Sequence, residues 1–353
     1  MINESAKQEY RLNVLYACDE NYAPFAGVSL TSLFRNNPDI DGITAYLVLD
    51  HVSDKNQALY RQLADQYHRE VVLIDAEEVI AKIKALKIPL YRGSYTTNFR
   101  LFFTEFIRPD VERLLYLDCD TLILGSLKPL LTLDMQGKAA AMALDSQTGY
   151  YKGLLHFRPE EPYYNAGITL LNVPNWEKLR CTERMLTHIQ TVRAQYCNPD
   201  QDLLNIVLKG QILVLPAEFN LQVTHRAYSP EVYFKAYPSS GYYTAAELAQ
   251  AAREPIILHS YRFLGQFPWH TNNLHPDTEV FDAYLKESLW HTYQKKPAHL
   301  TIMFKMEHFM YHLLPHRAFL QLFSWLQIRT LRIQNAKLDH PAVPGAAGDK
   351  TED

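Results

Sequence analysis

The 353-residue sequence has few cysteines, no long apolar run and no excess of positive charge. Its four cysteines have no Cys-x-x-Cys spacing and are too few to cross-link a chain of this length, which favours free buried thiols in a reducing compartment. No stretch reaches the ~18 uninterrupted apolar residues needed to cross a bilayer, and the polar amino terminus lacks the pattern of a secretory signal. The formal net charge of -4 argues against a nucleic-acid partner, because no global basic field is available for a phosphate backbone. We therefore expect a soluble, cytoplasmic protein that does not bind nucleic acid.

What the sequence does contain is an alternation of short apolar runs and helical patterns. Strands are predicted over residues 12–18, 43–49 and 71–74, each followed by a helix, with Ser53 and Asp75 as caps of the second and third helices. Further strands are predicted over residues 113–117, 139–144, 164–171 and 255–259, and further helices over residues 98–107, 176–194 and 200–208. This alternation is typical of an α/β domain built on a parallel sheet.

The pattern changes near residue 280, after which only helices are predicted. We expect an α/β domain over residues 1–280, a helical carboxyl-terminal appendage over 281–340 and a disordered tail over 341–353. Residues 298–340 are rich in Phe, Met, Leu and Trp and hold five Lys or Arg against two acids. Such helices either pack on the α/β domain or on a second subunit, which would make an oligomer, or dock on an anionic membrane surface. Both interpretations stay open at this point.

The first chemical clue is the pair Asp118 and Asp120, directly after the apolar run RLLYL. Because residues two apart at the end of a strand point to the same face, the two carboxylates converge. Hard oxygen ligands in this arrangement suit Mg²⁺ or Mn²⁺ bound to a diphosphate. The same spacing recurs at residues 39–41 and 200–202, so the triplet alone is a weak signal. The strand-end position distinguishes Asp118 and Asp120, because ligands of open α/β sheets bind beyond the carboxyl ends of strands.

A further acid, Asp19, follows the first predicted strand and could face the same crevice. Alternatively, Asp19 or Asn21 simply caps the first helix. The segment here reads ACDENYAPFAG and has no G-x-G-x-x-G, which argues against an NAD-dependent dehydrogenase.

Several segments occur in an order that resembles a known family. They read VLYACDENYAPFAGVSLTSLFRNN, TTNFRLFF, LLYLDCDTLILGSLKPL, YYNAGITLLN, NPDQDLLN, the pair Phe219-Asn220, and IILHSY. Together they resemble glycosyltransferase family 8, which includes bacterial lipopolysaccharide galactosyltransferases and glucosyltransferases and, more distantly, glycogenin. The resemblance covers roughly residues 10–270 and leaves the terminal helices unexplained. It implies a GT-A fold, an α/β nucleotide-diphospho-sugar domain with a mixed, mainly parallel sheet.

The resemblance also implies an activity. A family member of this kind is a retaining hexosyltransferase that moves galactose or glucose from a UDP-sugar to an acceptor, depends on Mn²⁺ or on Mg²⁺, and forms an alpha linkage. The acceptor is a glycan or a lipid-linked or protein-linked sugar, as in the synthesis of cell-surface polysaccharide. The implied location is the cytoplasm, at the inner face of the plasma membrane.

Residue roles follow from the same resemblance. The implied metal ligands are Asp118, Asp120 and His259. The implied uridine or ribose contacts are Asp19 and Asn21, Ala17 is implied to bind the nucleotide with them, and Arg100 is implied to contact the diphosphate or the sugar of the donor. The positions that hold the donor hexose correspond to Asp145, Asn165, Asp200 and Gln201, and Asp202 is the less certain member of its triplet. Without the family pattern, His259 would be interpreted as a core residue, Arg100 as an exposed helix charge and Asn165 as a turn residue.

Retention can arise through a covalent intermediate or through attack from the face that the leaving group vacates. The resemblance places Gln201 nearest the far face of the anomeric carbon, with Asp200 and Asp145 beside the reacting sugar. An amide is a poor nucleophile, so we favour front-face attack through an oxocarbenium-like ion pair.

One segment departs from the family pattern. After the metal histidine the family reads H-x-x-G-x-x-K-P-W, whereas residues 259–269 read HSYRFLGQFPW, which is two residues longer and has Phe267 in place of lysine. We predict that Arg262 supplies the missing cation to the diphosphate. The alternatives are a degenerate, non-catalytic protein that binds a nucleotide-sugar or glycan, and a membrane adaptor centred on the terminal helices.

Overall fold

The computed structural model describes residues 9–146, 148–192, 196–237 and 241–335. The strands in these residues are β1 Arg11–Asp19, β2 Gly42–Asp50, β3 Glu70–Asp75, β4 Arg113–Leu117, β5 Thr121–Ile123, β6 Ala140–Leu144, β7 Tyr164–Asn172, β8 Ile212–Val214, β9 Leu221–Gln222, β10 Ile257–His259, β11 His270–Thr271 and β12 Lys296–Pro297. The tail predicted over residues 341–353 lies outside the described residues.

The helices are α1 Ala23–Asn36, α2 Asp54–Gln66, α3 Glu77–Ala85, α4 Lys128–Leu131, α5 Thr148–Leu154, α6 Val173–Lys178, α7 Cys181–Val192, α8 Pro199–Val207, α9 Val223–Ala227, α10 Pro230–Ala236, α11 Ala245–Arg253, α12 Thr278–Glu287, α13 Ile302–Leu313 and α14 His316–Asn335. Thr96–Glu105 and Ala217–Asn220 form 3-10 helices.

A seven-stranded sheet in the order β3-β2-β1-β4-β7-β6-β8 forms the centre of the molecule. Only β7 runs antiparallel to its two neighbours in this sheet, and the other pairs are parallel. Five consecutive residues are buried in both β1 and β2, the pattern of strands covered on both faces. The prediction of a mixed, mainly parallel sheet is confirmed. Because β7 is reversed, its amino-terminal end lies at the edge where β1 and β4 finish.

A second, three-stranded sheet in the order β5-β10-β9 delivers His259 to the same edge. Strand β10 runs antiparallel to β5, with His259 opposite Thr121, and parallel to β9. Since Thr121 follows Asp120 directly, this pairing brings His259 beside the two acids that end β4. The described residues therefore build one crevice from segments far apart in sequence.

The predicted elements agree with the structure except at caps, at one helix type, at one divided helix and after residue 280. The prediction of helices alone in that last region was wrong, because the short strand β12 lies there and pairs with β11. Ser53 caps α2 as predicted and accepts a hydrogen bond from the Asn56 N–H. The cap assigned to Asp75 was wrong, because the N-cap of α3 is Ala76, although Asp75 still accepts a 2.8 Å bond from the Glu77 N–H. The helix predicted over residues 98–107 is the 3-10 helix Thr96–Glu105. The single helix predicted over 176–194 is divided into α6 and α7, with its last two residues outside the described part of the chain.

The terminal helices pack on the α/β domain through one side. The predicted boundary at residue 280 falls inside α12, which contacts α1 through a 2.7 Å hydrogen bond from Asn36 to the Tyr284 hydroxyl. Farther along, Phe319 and Leu320 of α14 are buried. None of the helices in the described ranges is long and apolar enough to cross a membrane.

Candidate active site

Asp118, Asp120 and His259 converge at the strand-end crevice. One ligand atom from each lies within 4.8 Å of the others. The His259 Nε2 atom is 3.4 Å from Asp120 Oδ1 and 3.8 Å from Asp118 Oδ2. Asp120 Oδ1 is buried and has no hydrogen-bond partner among the described residues. A buried carboxylate oxygen without a partner is costly, and a divalent cation between these three groups would satisfy it. The residues therefore fit a metal ion.

The imidazole of His259 is held in a suitable orientation by Asn220. The Nδ1 atom lies 3.2 Å from Asn220 Oδ1, and the amide of Asn220 donates in turn to Asn165 Oδ1 at 3.0 Å. With its amide nitrogen so engaged, Asn220 accepts from Nδ1–H, which leaves the Nε2 lone pair toward the carboxylates. Burial lowers the pKa of His259, but Asp120 and Asp118 outweigh burial, and the net pKa is raised. The sequence alone gives no role for Asn220, although the pair Phe219-Asn220 belongs to the family resemblance.

Gly167 is a second residue that sequence analysis left without a role. A Cβ at this position would lie 2.2 Å from His259 Cε1 and 2.8 Å from Asp118 Oδ2. The Gly167 carbonyl also accepts a 2.8 Å hydrogen bond from the Asp118 N–H. The missing side chain is therefore the space that the metal-ligand set occupies. A glycine inside a predicted strand was the available signal for this close approach.

Arg100 is buried beneath the metal-ligand set. Its side chain is 5% exposed and donates to the Ala166 carbonyl at 2.7 Å. Its Nη2 atom lies 3.0 Å from Asp118 Oδ1 and 3.3 Å from Asp200 Oδ2. The guanidinium also lies 4.0 Å from the centre of the Tyr116 ring. Burial lowers the pKa of Arg100, but Tyr116, Asp200 and Asp118 outweigh burial and raise it. The alternative of an exposed helix charge was wrong.

A carboxylate and two amides form a network beside Arg100. Asp145 Oδ2 accepts from Asn165 Nδ2 at 3.0 Å and from Gln201 Nε2 at 3.2 Å. Gln201 Oε1 accepts from the Ala166 N–H at 3.0 Å, and Gln201 Nε2 donates to the Tyr163 hydroxyl at 3.1 Å. Asn165 is a buried residue of β7, so its interpretation as a turn residue was wrong. Of the four residues expected at the hexose, the structure joins Asp145, Asn165 and Gln201 directly, and Asp200 is connected to them through Arg100.

Asp202 has a different environment from Asp200. Its carboxylate accepts from the hydroxyls of Tyr151 and Tyr163 and from the Asn198 N–H at 3.0 Å, and it is fully buried. Burial raises the pKa of Asp202 to about 7. Asp202 therefore belongs to the core beneath α8, in agreement with the expectation that it is the less certain site residue of its triplet.

The residues expected at the nucleotide lie at the end of β1. Asp19 Oδ1 accepts from the Tyr22 N–H at 3.0 Å, and Asn21 Nδ2 lies 3.4 Å from Asp19 Oδ2. The N-cap of α1 is Tyr22, so neither Asp19 nor Asn21 caps this helix. The Ala17 carbonyl accepts from the Cys119 thiol at 3.3 Å, which joins this strand to the segment between the two metal-ligand acids.

Tyr22 connects this region electrostatically to the other side of the crevice. Burial raises the pKa of its hydroxyl, Asp120 and Asp19 raise it further, and Arg262 lowers it. Three charged side chains from three separate segments therefore act on the same phenol.

The loop after His259 contains Phe267, which stands where the family pattern has lysine. Phe267 stacks on Trp269 at 4.5 Å, and Trp269 stacks on Phe25 at 3.8 Å, so Phe267 belongs to a buried aromatic column. Arg262 lies over Phe267, with 5.4 Å between the guanidinium and the ring centre. Burial and a nearby Arg92 lower the pKa of Arg262. Within the described residues neither arginine has an ion pair, and no pattern in the sequence indicated that Arg92 would lie here.

Comparison with known proteins accounts for this arrangement. The profile of glycosyl transferase family 8 matches residues 13–273. The chain is 28% identical over 297 residues to the lipopolysaccharide 1,2-glucosyltransferase of Escherichia coli (strain K12), covering 83% of each chain. It is 24% identical to the lipopolysaccharide 1,3-galactosyltransferase of Salmonella typhimurium (strain LT2), covering 79% of this chain and 92% of that protein.

Among solved structures, the galactosyltransferase LgtC in complex with donor and acceptor sugar analogues superimposes with a TM-score of 0.61 at 23% identity. The match covers 79% of this chain and 96% of LgtC, and it identifies the fold as GT-A-like α/β with carboxyl-terminal helices. The chain belongs to glycosyltransferase family 8 and is a hexosyltransferase.

Proposed function

We propose that this chain transfers glucose or galactose from a UDP-sugar to a lipopolysaccharide-like or other glycan acceptor, with retention of configuration. The observation that carries the proposal is the unsatisfied Asp120 Oδ1 between Asp118 and His259, next to a network suited to sugar hydroxyls. The two relatives named for glucosyl and galactosyl transfer to lipopolysaccharide support this substrate class. In this proposal residues 1–280 are the catalytic unit.

A divalent cation, Mn²⁺ or Mg²⁺, held by Asp118, Asp120 and His259 would neutralise the charge that gathers on the UDP leaving group. Arg262 would add a cationic contact to the diphosphate, in the role that lysine has in the family pattern. Arg92, whose charge acts on Arg262, is a second candidate for this contact. Toward the other end of the crevice, Ala17, Asp19 and Asn21 would contact the uridine.

The hexose would lie against the Asp145, Asn165 and Gln201 network. Carboxylate and amide groups that already hydrogen-bond one another are fixed in orientation, so they present donors and acceptors to sugar hydroxyls without reorganisation. Arg100 would act on this site as a positioning residue, because it holds Asp118 and Asp200 at the same time. Its positive charge also compensates the cluster of acids.

The environment of Gln201 supports front-face attack. Its amide oxygen accepts from the Ala166 N–H, and an amide is a weak nucleophile in any case. In the proposed step the acceptor hydroxyl oxygen bonds to the anomeric carbon, and the bond to UDP breaks with its electron pair on the phosphate oxygen. That phosphate oxygen takes the hydroxyl proton, so no covalent sugar–protein intermediate forms. Trapping a sugar on Gln201 or Asp200 would contradict this step.

The test is release of UDP from a panel of UDP-sugars, with Mn²⁺ or with EDTA. We expect metal-dependent release from one UDP-hexose and a loss of at least about 100-fold in Asp120→Ala, since an essential electrostatic group is removed. Asp39→Ala is the matched control, because Asp39 belongs to the same kind of triplet but hydrogen-bonds Ser126 on the surface. Nucleotide binding without turnover of any UDP-sugar, even with mixed glycan acceptors, would instead support the non-catalytic binding protein.

A further inference from the structure

Asp202 is a buried carboxylate to which the proposed reaction gives no role. It follows Gln201 on α8, but Gln201 is half-buried at the crevice whereas Asp202 is fully buried. Asp202 Oδ2 accepts from the Tyr151 hydroxyl at 2.6 Å and from the Asn198 N–H at 3.0 Å. Asp202 Oδ1 accepts from the hydroxyl of Tyr163. Because an ionised carboxylate can only accept, it fixes the direction of all three hydrogen bonds.

Tyr163 carries this constraint from the core to the crevice. Its ring is 1% exposed and packs edge-on against Tyr151 and Phe157, with ring centres 5.6 Å and 6.1 Å away. A phenol has one proton, and Tyr163 donates that proton to Asp202, so its oxygen can only accept from any other group. The Gln201 Nε2 atom donates to this oxygen at 3.1 Å. The hydroxyl therefore links a core carboxylate to the sugar-site network.

The amide of Gln201 is consequently held in one orientation. Its nitrogen donates to the Tyr163 hydroxyl and, at 3.2 Å, to Asp145 Oδ2, and its oxygen accepts from the Ala166 N–H at 3.0 Å. Turning the amide over would set its oxygen against the phenol and carboxylate oxygens, and its NH2 group against the Ala166 N–H. Each favourable contact would then be replaced by a repulsive one.

Without Asp202, the contact from Tyr163 would have no fixed direction. A phenol that is free to turn can donate its proton to the Gln201 amide oxygen, and it then supports the reversed orientation equally well. Burial raises the pKa of Asp202 to about 7, so the carboxylate is ionised in mildly alkaline solution and holds the Tyr163 proton there. Under those conditions each group donates to the next, from Gln201 through Tyr163 to Asp202.

We infer that Asp202 and Tyr163 are positioning residues that fix the side-chain amide of Gln201 for the transfer step. Both act through Gln201, against which the proposed function places the hexose, so the inference rests on the proposed function. An amide held in one orientation presents the same donor and acceptor to the sugar in every turnover. It also needs no reorganisation as charge develops on the anomeric carbon.

The first experiment measures turnover of a UDP-hexose by the full chain at about pH 8, where Asp202 is ionised. Tyr163→Phe keeps the ring and removes the phenol oxygen. We expect kcat to fall roughly tenfold, with the donor KM changed less than about twofold, because the lost hydrogen bond acts on the transfer step. Tyr164→Phe is the matched control and should keep the native kcat, since the neighbouring Tyr164 hydroxyl is also buried but donates to the Ile212 carbonyl.

Gln201→Ala separates positioning from a general effect on the fold. If Tyr163 acts through Gln201, adding Tyr163→Phe to Gln201→Ala should lower kcat no further, whereas independent effects would multiply. The inference is overturned if Tyr163→Phe alone keeps the native kcat, or if the two losses multiply in the double variant.

A second measurement does not depend on turnover. In the full chain labelled with isotopic glutamine, the side-chain amide resonances of Gln201, assigned with Gln201→Ala, report its hydrogen bonds. Tyr163→Phe should shift these resonances and speed their exchange with solvent, and so should Asp202→Asn, which can present a donor to the phenol. Tyr164→Phe should leave them in place. Resonances that stay unshifted in the first two variants overturn the inference, whereas shifted resonances in a chain that turns over no UDP-sugar contradict the proposed function instead.

Discussion

The strand-end crevice and the terminal helices both depart from the usual placement of residues. The crevice buries a charged side chain, and the helices expose apolar ones. In the crevice a charged side chain, Arg100, is 5% exposed, whereas on α13 the apolar Phe309 is 67% exposed. Proteins normally bury apolar groups and expose charged ones. The crevice compensates its buried charge internally, because Arg100 is paired with Asp118 and Asp200. Among the described residues, Phe309 has no comparable compensation.

The largest expected loss of activity comes from a change in the strand-end crevice, at Gly167. In Gly167→Ala the new Cβ would overlap His259 and Asp118, and displacing both metal-ligand groups should lower UDP release by about 100-fold or more. Gly153→Ala is the control, because no heavy atom lies within 4 Å of a Cβ at that position. Circular dichroism would check that both variants fold. Full activity in Gly167→Ala would mean that His259 and Asp118 do not act together.

An intermediate effect is expected at the mouth of the crevice, where charge is exposed rather than buried. Arg262→Ala should raise the donor KM by roughly tenfold, as expected for loss of one charged hydrogen bond, with a smaller rise in Arg92→Ala. Arg253→Ala, an exposed arginine in the last turn of α11, is the control. Unchanged donor KM and turnover in Arg262→Ala would exclude this residue as the replacement for the family's lysine.

The smallest expected effect concerns the terminal helices and is a change in the pH dependence of stability. Burial raises the pKa of Glu307 from its ordinary 4.5 to about 7, so the folded chain binds this proton more tightly than the unfolded chain. The free energy of unfolding should therefore fall as pH rises from about 4.5 to about 7, by about 1–3 kcal/mol, and this term should be constant above that range. Urea unfolding of Glu307→Gln at several pH values would measure the difference.

As pH rises, the free energy of unfolding of Glu307→Gln should increase relative to that of the native chain. Glu279→Gln, an exposed acid in the first turn of α12, should keep the pH dependence of the native chain. Parallel curves for the native chain and Glu307→Gln would show that the packed side of α13 is open to water.

Most of the fold could be predicted because its signals are local. The run that became β4 is apolar over consecutive residues, and the turn after it is marked by its acids. The type of helix at Thr96–Glu105 could not be predicted, because its backbone departs from helical angles at Phe102, within a sequence that has ordinary helical periodicity. One predicted helix is also interrupted at Arg180, where φ is 52°. A charged residue gives no sequence signal for this left-handed conformation.

The site could be predicted only where one segment carries its own pattern. The convergence of Asp118 and Asp120 follows from their spacing. The burial of Arg100 does not follow from any pattern, since it depends on acids 18 and 100 residues farther along the chain, at Asp118 and Asp200. For the same reason the aromatic column that takes up Phe267 was not foreseen, because its partner Phe25 lies on α1. Contacts between segments far apart in sequence depend on the order of strands in the sheet, for which the sequence carries only a weak signal.

The contact between α13 and the loop of residues 259–269 has a thermodynamic consequence. Because His308 holds the Leu264 carbonyl and Phe304 covers Gly265, the segment that carries Arg262 cannot shift without its helix. Two ligands that act on one shared element are coupled reciprocally. If a donor fixes the loop, the packing of α13 must in turn change the affinity of the chain for that donor by the same factor. The packing of α13 would then differ, through a single turn of backbone, between the free enzyme and the enzyme with donor bound.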